Sequence, residues 1–450
     1  MRCGGRVVSG TRTGLEAAEN GGMSGVTRRR LERSEPSVHP RSPFVPFAPR
    51  PLRRAHARRR RDDEHAREAF RAFKAARFFG SLDGLRAFSI LAVVWYHTLP
   101  FAHDTFAGQG NKGVTLFFAI SGFLIVTLIL RAKQSPAGFQ LPQFWGRRAL
   151  RILPLYYGVL LAYVGLVALF ERDGAARATF WGNLPAFATF TSNWFVNLED
   201  TRVIFYFAWS LAAEEQFYLV WPVLERWLRG WGALATAVVT LVSTQAVVLA
   251  LGDVARESLA LRMVTSVPAA ILLGVTLAHL LHRPETYRAV WRFAGRRGSA
   301  GVALALTVGT LAFAPAWGAA GELAIAVALA GLVATCVVRE DNDLARLLRW
   351  RPLVWIGTVS YGMYLLHMIA VNVVRRAAAV AGVDSPWVDF VGGSLLAIAL
   401  ASLSYLTFEK FFLRLKDRWF GTTRPPPAAA EPSDPAPSAA PKSAAKPATA

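Results

Sequence analysis

The feature that most limits the fold of this chain is a series of apolar segments, each close to 20 residues long. A helix of ~20 residues crosses the hydrocarbon core of a bilayer, and it satisfies its own backbone hydrogen bonds, as lipid requires. Hydrophobic residues make up 53% of the 450 residues. We therefore predict an all-α fold, a polytopic transmembrane helical bundle of about ten spans. The predicted spans are 82–100, 113–131, 151–170, 205–224, 232–251, 262–281, 299–315, 320–338, 354–376 and 389–412.

Basic residues in the short loops predict the orientation of these spans. Most loop Lys and Arg residues fall on one side, and loops rich in Lys and Arg remain in the cytoplasm. The basic side includes both ends of the chain, so both termini are predicted to be cytoplasmic. Arg86 then lies toward the cytoplasm, and His97 lies toward the outer face.

The two tails differ from the apolar middle in composition. Residues 1–80 carry about half of the formal net charge of +21 and predict a mostly disordered cytoplasmic tail that ends in an interfacial helix over 62–79. Residues 81–415 form the predicted transmembrane domain, and 416–450 predict a disordered cytoplasmic tail rich in Pro and Ala. A basic segment beside a first span is a topology signal and a contact for anionic lipid. We therefore predict a lipid-bilayer partner and no nucleic acid.

The first predicted span contains two ionisable residues, Arg86 and His97. Such residues inside a span usually face a protein interior or a wet cavity. The two residues are eleven positions apart, so in a helix their side chains point in nearly the same direction and lie about 16 Å apart along the axis. Imidazole is the commonest general base near neutral pH. The alternative is that Arg86 reaches an interface and His97 only caps the span.

The fourth predicted span carries two adjacent carboxylates, Glu214 and Glu215, which packing alone does not explain. Tyr218 follows Glu214 by four residues and shares its helix face. The Glu214 carboxylate is compatible with three tasks: orienting His97, binding a sugar hydroxyl, or pairing with Arg86. The sequence does not choose among them.

Two further polar groups lie inside predicted spans. Ser360, Tyr364 and His367 have helical spacing in the ninth span and predict a substrate-binding or pore-lining face, although a structural role for His367 is an equal alternative. Ser121 and Gly122 lie in the middle of the second span, where small residues permit close helix packing.

An arginine cluster precedes the third span. Arg147, Arg148 and Arg151 lie together, and Arg147 and Arg151 are one helical turn apart, a geometry that suits a phosphate. The alternative is that these arginines only follow the positive-inside rule.

Several standard catalytic motifs do not occur in the sequence. It has no GxSxG, Walker loop, HExxH or Gly-rich dinucleotide fingerprint. Its two cysteines, Cys3 and Cys336, predict no disulfide, metal site or thiol nucleophile.

Six stretches occur in the order and spacing of a known family. They are SLDGLRAFSILAVVWYH, GVTLFFAISGFLI, FWGRRALRILPLYY, WSLAAEEQFYLVWP, LVWIGTVSYGMYLLH and SYLTFEKFF. On these motifs the chain resembles the acyltransferase 3 family of bacterial-type membrane O-acyltransferases, which modify surface polysaccharides and macrolide sugars. The resemblance covers about residues 81–415, and the Arg-x10-His spacing and the WSLxxEEQFY block are its most specific parts.

The resemblance implies ten core helices in the cytoplasmic membrane, acetyl-CoA as a cytoplasmic donor substrate, no tightly bound cofactor, and a carbohydrate or glycoside hydroxyl as acceptor. Arg86 and His97 match the family's essential Arg and His. His97 would act as general base or transiently carry the acyl group, and Arg86 would stabilise negative charge.

The resemblance also assigns the other charged residues. Arg147, Arg148 and Arg151 match the family's RRxxR motif and would hold the phosphates of CoA. Glu214 or Glu215 would position the histidine or the acceptor. The chain departs from the family at Thr115, where Asp is usual, and at Glu409-Lys410-Phe411, where Glu-Arg-Pro is usual. These departures leave the roles of those positions open.

The alternative function is a transporter or flippase for a sugar or a lipid-linked intermediate, because intramembrane charges suit it equally well. The sequence shows no clear inverted repeat in its favour. Movement of the acceptor without consumption of CoA would identify this function. The sequence determines neither the acceptor, the acyl group nor the oligomeric state.

Overall fold

The computed structural model describes residues 50–76, 78–101, 105–198, 202–252, 254 and 258–421, with side chains of the first helix from residue 62 onward. No strand occurs in these ranges. Their helices are α1 (Arg50–Ala75), α2 (Gly80–Thr98), α3 (Lys112–Gln134), α4 (Leu141–Phe170), α5 (Gly174–Ala188), α6 (Ser192–Phe195), α7 (Ala208–Trp227), α8 (Gly232–Leu251), α9 (Leu259–Thr265), α10 (Ala269–Leu281), α11 (Pro284–Ala294), α12 (Ser299–Phe313), α13 (Gly318–Val338), α14 (Ala345–Leu348), α15 (Arg351–Thr358), α16 (Ser360–Val380), α17 (Pro386–Ser404) and α18 (Lys410–Phe420). Short 3-10 helices occur at Phe106–Asn111 and Ala314–Trp317, and a π-helical turn occurs at Tyr405–Glu409.

The chain divides into two compact units, residues 1–56 and residues 57–450. Of the first unit, the structure describes only the helical backbone of residues 50–56. The disorder predicted for most of residues 1–80 therefore concerns a segment that lies mainly outside the described residues. The tail predicted over 416–450 lies outside them beyond residue 421, whereas residues 416–420 belong to α18. All packing described below lies within the second unit.

Seven helical stretches in the described part are long and apolar enough to cross a membrane. They are Phe106–Gln134, Leu141–Phe170, Gly232–Leu251, Leu259–Leu281, Ser299–Val338, Ser360–Val380 and Pro386–Phe420. An eighth results when Asp62–Ala75 and Gly80–Thr98, which are bent by 70° relative to each other, are taken as one broken span. The all-α, multi-pass membrane fold is thus confirmed, while the count of ten and the cytoplasmic termini stay predictions.

Helix α7 falls outside these seven stretches because of its charged residues. Its 20 residues include Glu214, Glu215 and Glu225, which lower its hydropathy. Its apolar side chains nevertheless lie in the bundle, with Phe217 and Trp221 buried. A helix with buried carboxylates inside a membrane bundle indicates a polar interior rather than a lipid-facing span.

Two predicted spans are interrupted. The predicted span 262–281 consists of α9 and α10, because Pro268 lacks a backbone N–H and disfavours helix at the residue before it. The predicted span 354–376 divides at Val359 into α15 and α16. The tenth predicted span continues as one helical stretch through the π-helical turn, a feature that often marks functional sites.

Close helix contacts hold α2 and α3 in place. A Cβ atom at Gly122 of α3 would overlap the carbonyl of Ile271, and one at Gly274 of α10 would overlap the carbonyl of Ala119. Helices α3 and α10 therefore meet backbone to backbone, as small residues allow in membranes. Gly357 of α15 approaches the backbone of α2 in the same way. These contacts fix the two helices that carry much of the candidate site.

The C-terminal half of α1 packs against the bundle. Phe73 is buried and contacts the rings of Phe79, His282 and Tyr287. Arg131 of α3 donates hydrogen bonds to the Phe73 carbonyl at 3.0 Å and to the carbonyl of Ala76 at 2.6 Å. The helix predicted over 62–79 thus ends at Ala75 and is anchored by its aromatic face.

Candidate active site

A cavity of about 300 Å³ lies between α2, α3, α4, α7 and α16. Its walls are largely apolar, but charged and hydroxyl-bearing side chains converge on it. These residues are Asp83, Arg86, Ser121, Thr127, Arg131, Arg148, Arg151, Ser210, Glu214, Glu215, Tyr218, Ser360, Tyr361 and Tyr364. An apolar pocket with a few convergent polar groups is the usual form of a small-molecule site.

Glu214 occupies the centre of a hydrogen-bond network in this cavity. Ser121 donates its hydroxyl to Oε1 at 3.0 Å, and Tyr218 donates its hydroxyl to Oε2 at 3.0 Å. The predicted pairing of Glu214 and Tyr218 on one helix face is therefore present as a direct contact. Ser121 has a second role beside the helix packing predicted for it, since it serves Glu214 while Gly122 makes the close helix contact.

Arg86 faces the same cavity without a fixed partner. Among the residues that the structure describes, no carboxylate lies within 4.0 Å of its guanidinium group. Glu214, one of the candidate partners, is already engaged by Ser121 and Tyr218. An uncommitted cation inside a membrane bundle is available to an anionic or polarised ligand.

The three arginines of α4 separate into two groups. Arg148 lies over the ring of Tyr218 at 5.0 Å, and Arg151 also lines the cavity. Arg147 instead donates to the Phe420 carbonyl at 2.5 Å, and it does not line the cavity. Neighbouring residues on a helix point ~100° apart, so one face cannot present Arg147 and Arg148 equally. The structure thus brings two of the three predicted phosphate-binding arginines to the cavity.

The remaining predicted lining residues lie on α7 and α16. Glu215, Ser360 and Tyr364 all line the cavity. The Ser360 hydroxyl is buried and has no hydrogen-bond partner in the described part of the chain. Tyr364 donates to the Phe207 carbonyl at 3.0 Å and lies 2.6 Å from the Ser210 hydroxyl, so its ring is held as a wall of the cavity.

His97 lies outside this cavity, in a second polar centre. The Tyr206 hydroxyl is 2.8 Å from His97 Nδ1, and the His97 and His367 rings stack at 5.3 Å. His367 Nδ1 lies 2.7 Å from the Tyr364 carbonyl, and its Nε2 is buried with no partner among the described residues. The ring of Tyr364 is 5.7 Å from that of His367 and separates the two centres. Helix α2 therefore carries a cation at one centre and an imidazole at the other.

Sequence reasoning missed Tyr206, which orients His97. The residue lies in a turn before α7, outside the helical segment whose spacing was analysed. Its neighbour Phe205 has a φ of 65°, in the left-handed region that few side chains adopt. Phe205 is buried against Tyr163 and Phe187, and this packing holds the turn. Asp83 and Tyr361 also line the cavity and were not singled out, although each lies three residues before a named residue, Arg86 and Tyr364 respectively.

Comparisons with known proteins agree on one family. The sequence model of the acyltransferase 3 family, described as an acyltransferase domain, matches residues 79–406. The chain is 31% identical to the putative peptidoglycan O-acetyltransferase YrhL of Bacillus subtilis over 369 residues, which cover 74% of this chain and 55% of that protein. It is 30% identical to the peptidoglycan O-acetyltransferase OatA of Listeria monocytogenes over 320 residues, which cover 65% of this chain and 49% of that protein.

A third relative, a putative O-acetyltransferase of Staphylococcus aureus, is 28% identical over 370 residues, which cover 77% of this chain and 59% of that protein. The chain thus spans only about half the length of the curated relatives it matches. No solved structure matches the chain.

Proposed function

We propose a membrane O-acetyltransferase activity for this chain, which belongs to the acyltransferase 3 family. The acetyl group would pass from cytoplasmic acetyl-CoA to a hydroxyl of a cell-surface carbohydrate, in the cytoplasmic membrane of a bacterial-type cell. Two relatives are named peptidoglycan O-acetyltransferases, so a peptidoglycan glycan is the first acceptor to test. The observation that carries the proposal is the succession of a cationic cavity and a histidine centre along α2.

The cavity suits the donor. Arg148 and Arg151 supply positive charge for the phosphates of CoA, and arginine binds phosphate through paired N–H groups. Arg86 has no ion-pair partner within 4.0 Å among the described residues, and it would stabilise negative charge on the donor. It lies about 16 Å along α2 from His97, too far to act on the same reacting carbon. Glu214 would hold Ser121 and Tyr218 in position around the donor.

The histidine centre suits the acceptor. The Tyr206 oxygen lies 2.8 Å from His97 Nδ1 and 3.2 Å from Nε2. When Nδ1–H donates to that oxygen, Nε2 carries the lone pair that would take the proton of the acceptor hydroxyl. The hydroxyl oxygen then bonds to the acetyl carbon, the C–S bond breaks, and the proton passes to the leaving thiolate. In the alternative order, Nε2 itself first carries the acetyl group.

Release of the CoA thiol from acetyl-CoA tests this proposal. The protein would be purified in lipid nanodiscs, and the wild type would be compared with His97→Ala and Arg86→Ala. His65→Ala is the matched control, because His65 lies on the exposed part of α1. We expect both site variants to lose at least 90% of the release, at unchanged folding, and the control to retain it. Wild-type release by His97→Ala would refute the role given to the imidazole.

A further inference from the structure

A second cavity, of about 650 Å³, lies where α3, α7 and α10 end. Its charged and imidazole lining residues are Lys133, Glu225, Arg226, Arg229, His282 and Arg283, with His279 beside Glu225. The positive-inside rule places this end of the helices in the cytoplasm. That rule accounts for basic residues in a loop, but it does not account for a concave pocket with a histidine in its wall.

The floor of this pocket is internally satisfied. Glu225 is only 1% exposed, and its two oxygens lie 2.8 Å from Lys133 Nζ and 2.7 Å from His279 Nε2. Trp221 Nε1 lies 3.3 Å from the same carboxylate. The carboxylate therefore neutralises Lys133 and fixes the ends of α3, α7 and α10 relative to one another.

The rim of the pocket keeps uncommitted positive charge. Arg226 and Arg229 are exposed, and neither has an ion-pair partner within 4.0 Å in the described ranges. Arg283 lies over the Trp231 ring at 3.5 Å and donates to the carbonyl of Gly230, whose φ of 60° permits the turn between α7 and α8. Arg283 thus holds the turn that presents Arg229.

His282 places an imidazole nitrogen of fixed orientation in the wall of the pocket. Its Nδ1 lies 2.8 Å from the Ala278 carbonyl, which fixes Nδ1 as the donor of that hydrogen bond. Its Nε2 is buried and has no partner among the described residues, while the residue itself is 9% exposed and lines the pocket. A buried polar atom without a partner at a pocket wall indicates that a ligand or water completes it.

We propose that this pocket binds a phosphate group. Arg226 and Arg229 would supply paired N–H donors and charge. His282 Nε2, an acceptor in the neutral ring, would take a hydrogen bond from a hydroxyl of the group that carries the phosphate. Two sources carry this chemistry: the head group of an anionic phospholipid, which basic pockets between membrane helices bind, and the nucleotide end of acyl-CoA. Tyr218 lines the first cavity and Glu225 the second, about 10 Å apart along α7. Only the second of these ligands, acyl-CoA, depends on the proposed function.

Retention of two probes would test the site on the intact chain in nanodiscs. The first probe is phosphatidylglycerol, measured by native mass spectrometry in discs of otherwise zwitterionic lipid. The second probe is adenosine 3′,5′-bisphosphate, measured by equilibrium binding. The test variant is the double substitution Arg226→Gln and Arg229→Gln, and the matched control is Arg414→Gln and Arg418→Gln on α18, where both arginines are exposed.

We expect the test pair to weaken at least one probe by tenfold or more, and the control pair to change neither by more than twofold. His282→Asn keeps an amide in place of Nδ1 and removes Nε2, so it should weaken the same probe by three- to tenfold. Loss of the lipid probe identifies a head-group site, and loss of the bisphosphate identifies the donor. The proposed site would be refuted if the test pair bound both probes as well as the wild type does. It would also be refuted if the control pair lost as much binding as the test pair. Because neither probe requires acetyl transfer, an inactive protein that still binds lipid here would refute only the proposed function.

Discussion

The hydroxyl of Tyr206 provides the sharpest test of how His97 works. It lies 2.8 Å from Nδ1, and the tyrosine ring stands edge to face with the imidazole at 5.5 Å. The substitution Tyr206→Phe removes the hydroxyl and keeps the ring. It therefore removes the contacts of the hydroxyl with the His97 ring and with Met368 Sδ, at 3.8 Å, without opening a cavity around the histidine.

The size of the effect follows from the charge of His97 during the reaction. A hydrogen bond between neutral groups contributes about 1 kcal/mol net, and one to a charged group contributes about 1.5–3 kcal/mol. As a general base, His97 becomes an imidazolium in the transition state, so the bond to Tyr206 is of the stronger kind only there. The ground state keeps the neutral bond, so kcat reflects the difference between the two states, about 0.5–2 kcal/mol. Since ~1.4 kcal/mol is tenfold in rate, we expect kcat to fall by about 2- to 30-fold. The KM for acetyl-CoA should not change, because Tyr206 does not line the donor cavity.

The assay is steady-state release of the CoA thiol, with kcat and KM resolved separately. Tyr157→Phe is the control, because it removes a hydroxyl that makes a comparable bond, to the Ala188 carbonyl at 2.9 Å, far from the histidine centre. In a His97→Ala background, Tyr206→Phe should have no further effect, since both act through one group. A change of less than twofold in kcat, or a change confined to KM, would show that Tyr206 does not assist the imidazole.

Two further predictions concern the donor cavity and the helix contacts. In initial-rate kinetics, Arg148→Gln should raise the KM for acetyl-CoA about tenfold or more. Arg147 faces Phe420, so Arg147→Gln should change this KM by no more than about twofold. Equal effects of the two substitutions on KM would contradict the placement of Arg148 at the cavity and of Arg147 outside it. Gly274→Val should lower the free energy of unfolding of the purified protein by about 1–3 kcal/mol, because the valine side chain would overlap a carbonyl of α3. Gly301 has open space around it, so Gly301→Val should leave the free energy of unfolding unchanged. Equal melting temperatures for both valine variants in a thermal unfolding assay would show that α3 and α10 are not in backbone contact.

The fold was predictable from the sequence because the membrane imposes a length and a polarity on each span. The apolar segments identified the helices, and Glu214 and Tyr218 were correctly placed on one face, since their spacing of four residues has one geometric meaning in a helix. The breaks at Pro268 and Val359 were missed. Hydropathy averages over such breaks, and the position of a bend depends on packing.

The candidate site was predictable only where its residues lie on one helix. Arg147 was grouped with Arg148 and Arg151 because the three lie together and Arg147 is one helical turn from Arg151. Its guanidinium group instead donates to the Phe420 carbonyl of α18. The contact of Ser121 with Glu214 joins α3 to α7, and the contact of Tyr206 with His97 joins a turn to α2. Contacts between elements leave no periodic signal in a single sequence.

We propose acetyl-CoA as the donor and a carbohydrate hydroxyl as the acceptor, with His97 between them. The direct measurement uses isotopically labelled acetyl-CoA, a peptidoglycan glycan fragment and the protein in nanodiscs, with mass spectrometry of the glycan. We expect a labelled, base-labile acetyl ester on the glycan that forms with wild type and is absent with His97→Ala. Ester formation by His97→Ala at the wild-type rate would refute the proposed function, as would transport of unmodified glycan across a proteoliposome membrane without consumption of acetyl-CoA.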